Sequence, residues 1–183
     1  MKRALMVIDV QNDFCPGGAL PVPEGDRVVP VINALMDRFD VVVATRDWHP
    51  PQTVHFEKWP VHCVRDTHGA AFHPDLQVEK VDRIVSKGTG NRDDGYSAFE
   101  TDELDLAGWL REQGVDEVYV AGLATEYCVK ASALDAARHG FSTFVITDAV
   151  RGIDVQPGDI RKAIEEMEAA GIRMVKAAEI PAR

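Results

Sequence analysis

Six short apolar runs, spaced along the chain, limit what it can fold into. They are Ala4–Val10, Asp40–Thr45, Val81–Lys87, Val118–Ala121, Phe141–Thr147 and Ile172–Val175. Each is rich in β-branched residues and too short for a typical helix, so each reads as a buried strand. Between them, Asp26–Met36, Thr101–Gln113, Thr125 to Gly140 and Asp159–Ala170 show apolar residues at helical spacing or helix-stop glycines. Strands alternating with helices predict an α/β fold: a doubly wound, three-layer α/β/α arrangement around a mostly parallel sheet of about six strands. The 183 residues suffice for one sizeable core, so residues 1–183 are read as a single domain.

In such sheets ligands bind outside the carboxyl ends of the strands. The residues at those ends are chemically mixed. The first strand ends near Asp9, the second runs into Asp47 and His49, the third stops at Lys87, and the fourth leads through Gly122 to Cys128. Any one of these polar residues could be a turn or cap residue. Four successive strands delivering an acid, a metal-type pair, a base and a thiol point to one site.

Thr125 is positioned to cap a helix, which would put Cys128 in its first turn. There the free N–H groups and the dipole, with Lys87 nearby, would favour a thiolate nucleophile. Asp9 could carry the thiol proton to a leaving group. A cysteine at such a position is otherwise a small core residue.

Residues 46 to about 74 form a long segment with little periodicity, of the kind that is usually functional when ordered. Within it, Asp47 and His49 alternate on an extended stretch and can reach one ion. His62 is a plausible third ligand and His55 a fourth, a donor set that suits Zn, Fe or Mn. Cys63 ranks below His62 because adjacent residues of an extended chain point apart. His68 and His73 read as structural or solvent-facing. The loop aromatics Phe14, Trp48, Trp59 and Tyr96 could line a pocket for a flat ring.

The formal net charge of -10 argues against nucleic acid or an anionic membrane as partner. No apolar run approaches a membrane span, and the opening Met-Lys-Arg reads as leading straight into a short strand rather than as a signal peptide. Three cysteines, an odd number, read as reduced thiols in a cytoplasmic protein.

Five motifs carry a resemblance that covers nearly the whole chain. They are Val7-Ile-Asp-Val-Gln-Asn-Asp-Phe14, Thr45-Arg-Asp-Trp-His-Pro50, Trp59-Pro-Val-His-Cys63, Lys87-Gly-Thr with Gly95-Tyr-Ser-Ala-Phe99, and Gly122-Leu-Ala-Thr-Glu-Tyr-Cys-Val129. The sequence resembles the metal-containing nicotinamidase branch of the isochorismatase-like cysteine hydrolase superfamily. The resemblance implies a catalytic triad of Asp9, Lys87 and Cys128. It implies one divalent metal ion, zinc first with iron or manganese as alternatives, on Asp47, His49 and His62, with His55 as an extra ligand that some members use. It also implies a cis peptide at Leu123–Ala124 and an oxyanion hole from the N–H groups of Ala124 and Cys128. Phe14, Trp59 and Tyr96 would pack on the ring of the small-molecule substrate, nicotinamide, which is hydrolysed to nicotinate and ammonia. Leu123 and Val61 depart from the usual pattern without touching chemistry. A homo-oligomer is compatible with the sequence. Two rivals are a metal-free sibling, such as an N-carbamoyl or ureido hydrolase or an isochorismatase, and a non-catalytic metal- or redox-binding protein.

Overall fold

The computed structural model describes residues 1–183. Its six strands are β1 (Lys2–Ile8), β2 (Val41–Asp47), β3 (Arg83–Lys87), β4 (Val115–Leu123), β5 (Ser142–Arg151) and β6 (Arg173–Val175). They form one sheet in the order β3-β2-β1-β4-β5-β6, with every neighbouring pair parallel. The α/β expectation holds, and the sheet is wholly parallel.

Alternation along the strands builds two cores. Leu5 and Val7 of β1 join one apolar cluster with Val42, Ala44, Tyr119 and Ala121, against α1 (Val28–Leu35). Ala4, Met6 and Ile8 join the other with Val41, Val43, Val118 and Val120. Helices α3 (Leu106–Glu112), α4 (Lys130–Arg138) and α5 (Asp159–Ala169) contribute to that second cluster. Successive side chains of a strand point to opposite faces, so a sheet covered on both faces needs runs that are apolar throughout. The clusters hold 25 and 22 buried residues, consistent with that reading.

The strand order reverses beside β1: the chain runs outward from β1 to β2 and β3, then crosses back to β4. The carboxyl ends of β1 and β4 therefore flank the switch point, where a parallel sheet opens a crevice. Close contact there depends on Gly122, whose φ is +116°; a Cβ on it would collide with the backbone of Ile8.

Three local expectations are corrected. The helix predicted from Thr101 starts at Leu106, because Asp105 Oδ1 accepts Gly108 N–H at 3.0 Å and caps it. Thr101 instead donates to Ser86 O at 2.7 Å and ties the segment to β3. Thr125 caps nothing. Residues Thr125–Val129 form a wide π turn ahead of α4, in which Val129 N–H reaches Ala124 O at 3.2 Å. The long segment after β2 contains a short helix, α2 (His55–Lys58), and is pinned by isolated bridges between His49 and Val64 and between Gln11 and Phe72.

Candidate active site

Lys87 is the hub. It is fully buried at the end of β3, and its Nζ lies 2.8 Å from Asp9 Oδ2, 2.6 Å from Asp47 Oδ1 and 3.5 Å from Cys128 Sγ. It also donates to the carbonyl of Gly95. Asp9, fully buried just past β1 in a left-handed conformation (φ 51°), accepts Thr45 Oγ1–H at 2.8 Å. The three residues expected from the strand ends thus converge.

Burial pushes the Asp9 carboxyl up from its ordinary 3.8 to about 6, against the pull of Lys87. Burial acts the same way on Asp47, but there the Lys87 ammonium wins, holding it well below the usual carboxylate range. Lys87 loses basicity through burial and regains more from Asp47 and Asp9, so it stays an ammonium.

The expected thiolate at Cys128 is corrected. Burial raises its thiol well above the ordinary value, and Lys87 only partly opposes this. Asp9 and Asp47 add repulsion. The resting sulfur is a thiol and needs a base.

Beside this group stand three histidines. His49 Nδ1–H donates to Gly88 O at 2.8 Å, His62 Nδ1–H to Pro60 O at 2.6 Å, and His55 Nδ1–H to Asp93 Oδ1 at 2.8 Å. Carbonyls and carboxylates only accept, so each ring carries its proton on Nδ1 and presents Nε2 as a lone pair. One ligand atom from each of the three lies within 4.8 Å of the others. The buried Nε2 of His49 makes no hydrogen bond. Asp47 Oδ2 faces His49 Nε2 at 3.4 Å and His62 Nε2 at 3.8 Å. Three oriented imidazoles beside a carboxylate fit a divalent cation of the zinc type, with the outer hydrogen bonds such ligands normally carry. His55 is a full member of the cluster. Cys63 is not: its N–H is held by Asp13 Oδ2 at 2.8 Å. His68 is exposed, and His73 Nδ1 accepts Asp75 N–H at 3.1 Å, outside the cluster.

A cleft of about 450 Å³, counted with its open mouth, reaches Cys128, Asp47, His55 and His62. Phe14, Trp59 and Tyr96 line it as expected. Trp48 does not; its ring packs under the Arg46 guanidinium at 3.7 Å. Sequence reading missed Tyr127 and Ile153, which also line the cleft. Tyr127 adjoins the cysteine and was discoverable. Ile153 lies past β5 and is seated by Glu126, whose carboxylate accepts the N–H groups of Ile153 and Asp154 at 3.1 and 2.8 Å. Gln11 was also missed: its side-chain amide clamps both the N–H and C=O of Asp47, at 2.9 and 2.8 Å. The Leu123–Ala124 peptide is cis.

A model of the isochorismatase domain matches residues 3–179. The chain belongs to the isochorismatase family. Among its family relatives, a nicotinamidase of Escherichia coli is 42% identical over 200 residues, covering 92% of each chain. A pyrazinamidase of Pyrococcus horikoshii solved in complex with zinc is 47% identical, covers 96% of this chain and 99% of its own, and superposes with a TM-score of 0.87. A yeast nicotinamidase bound to the inhibitor nicotinaldehyde is 35% identical, with 95% and 99% coverage and a TM-score of 0.88. No helix of this isochorismatase-family chain is long and apolar enough to cross a membrane.

Proposed function

We infer that this protein is a nicotinamidase, hydrolysing nicotinamide to nicotinate and ammonia. The observation that carries the reading is the juxtaposition of a Cys128–Lys87–Asp9 group with a histidine cluster at one aromatic-walled cleft. The similarity to nicotinamidases over nearly the whole chain supports it. So does the aromatic wall, which suits a flat pyridine ring.

The chemistry follows from the protonation states. Cys128 Sγ attacks the amide carbon as its proton passes to Asp9, the one nearby carboxylate basic enough to hold it. Lys87, a permanent ammonium, steadies the sulfur and both carboxylates. The Ala124 N–H makes no hydrogen bond within the chain, and with the Cys128 N–H it receives the oxyanion. The C–N bond then breaks, Asp9 returns the proton to the departing ammonia, and a thioester remains on Cys128. Water, deprotonated by Asp9, attacks the thioester; nicotinate leaves and the thiol is restored. Asp47, His49, His55 and His62 would hold the divalent ion, zinc first with iron or manganese as alternatives. When bound it would supply a Lewis acid toward the pyridine nitrogen of the substrate.

Ammonia release from a panel of small amides, with metal analysis of the pure protein, tests this reading. Nicotinamide turnover with stoichiometric metal is expected. Activity confined to ureido substrates in a metal-free protein would assign the chain to a sibling hydrolase.

A further inference from the structure

The carboxylate of Asp93 stands where the aromatic wall meets the histidine cluster. Its Oδ1 accepts two hydrogen bonds, from His55 Nδ1–H at 2.8 Å and from Tyr96 O–H at 2.7 Å. The Tyr96 oxygen accepts in turn from Trp59 Nε1–H at 3.0 Å. Oδ2 faces Lys58 Nζ at 3.6 Å, toward solvent. One oxygen atom therefore fixes His55 and Tyr96 directly and Trp59 through Tyr96, and all three line the cleft. Core packing does not call for this residue, since the Asp93 side chain is 38% exposed. The loop bearing it is joined to the residues before α2 a second time, where Asn91 Oδ1 accepts Val54 N–H at 2.8 Å.

We propose that Asp93 is a positioning residue that sets His55 and the Tyr96–Trp59 wall as one unit, so that cation retention and grip on the substrate ring depend on the same carboxylate. An acceptor at Nδ1 fixes both the tautomer and the plane of a ligating imidazole, leaving Nε2 aimed at the cluster. The same charged acceptor orients the Tyr96 hydroxyl, which leaves its lone pair for Trp59. Without the carboxylate, the ring of His55 and the edge-linked pair of aromatics each regain rotational freedom. The grip on the ring rests on the nicotinamidase reading; the hold on the cation does not.

The test uses the full chain loaded with zinc, and three variants: Asp93→Ala, Asp93→Asn and Tyr96→Phe. Zinc transfer to a colorimetric chelator is timed without substrate, and KM and kcat for nicotinamide are measured with zinc in excess. Asp93→Ala is expected to release zinc about 10-fold faster, in line with other losses of an outer ligand partner. It should also raise KM about 10-fold while kcat changes by less than about threefold. Asp93→Asn retains a carbonyl oxygen that can accept both bonds, and should restore both quantities to within about threefold of wild type. Tyr96→Phe should raise KM and leave zinc release unchanged. The proposal is overturned if Asp93→Ala matches wild type in zinc release, if Asp93→Asn is as impaired as the alanine variant, or if Tyr96→Phe speeds zinc release equally. The zinc measurement needs no turnover, so a wild-type protein inert toward nicotinamide would overturn the functional reading and still decide this one.

Discussion

Asp47 Oδ1 lies 2.6 Å from Lys87 Nζ, while the other oxygen of the same carboxylate faces His49 at 3.4 Å. One side chain thus joins the thiol's surroundings to the histidine cluster. It also sets the local charge. Two carboxylates and one ammonium already leave a net negative charge around Cys128, so a resting thiolate would add repulsion. Passing the thiol proton to Asp9 leaves that net charge unchanged. Asp9, and not Asp47, is assigned as the proton carrier because burial raises its carboxyl while Lys87 holds that of Asp47 down.

Lys87→Met should both inactivate and destabilise the protein. The substitution fits the volume and leaves two buried carboxylates uncompensated, an effect of about 3–5 kcal/mol for breaking a buried ionic group. Urea unfolding at neutral pH measures it. A loss below about 1 kcal/mol, the range of exposed pairs, would show that Lys87 is not the hub described.

Activity should depend on Asp9 ionisation. Its carboxyl titrates at about 6 because burial outweighs Lys87. Attack needs the carboxylate, so kcat/KM for nicotinamide should rise with pH and level off above about 6. Stability should move the other way. The folded chain holds this proton more tightly than the unfolded chain, so the contribution of Asp9 to stability falls as pH rises from its ordinary 3.8 to about 6. An acid limb at the ordinary carboxylate value would contradict the burial argument.

Metal removal should weaken turnover without unfolding the chain, because both cores lie in the sheet layers and not at the histidines. Dialysis against a chelator, followed by circular dichroism and an ammonia assay, checks this. His49→Ala should bind less metal than wild type. Full activity in a metal-free protein would remove the cation from the reaction.

Trp59→Ala should raise KM for nicotinamide by about 3- to 10-fold, the effect of losing one aromatic contact of about 0.5–1.5 kcal/mol. Trp48→Ala, which removes a ring stacked on Arg46 outside the cleft, should leave KM unchanged. Equal effects of the two would refute the assignment of the wall.

Strand positions and the converging side chains were legible in the sequence because each rests on a local rule. Ala4–Val10, short and apolar apart from Asp9, reads as a buried strand, and polar residues at the ends of such strands meet at one sheet edge. What was not legible depends on competition between neighbours. Thr101 and Asp105 are both good caps, and only packing of Thr101 on Ser86 decided for Asp105. Trp48 and Trp59 look alike as loop aromatics; the guanidinium of Arg46 took the first out of the pocket. The state of Cys128 turned on burial, which a first-turn position does not reveal. Gln11 reaches Asp47 and Asp93 reaches His55 across 36 and 38 residues, a separation with no sequence signal.

Acid quenching of the enzyme during nicotinamide turnover, followed by peptide mass analysis, tests the role of Cys128 most directly. The mechanism predicts a nicotinoyl group in thioester linkage on the peptide containing Cys128, absent from Asp9→Asn and from unreacted enzyme. Steady turnover with an unmodified Cys128, or a Cys128→Ala protein releasing ammonia at the wild-type rate, would contradict it.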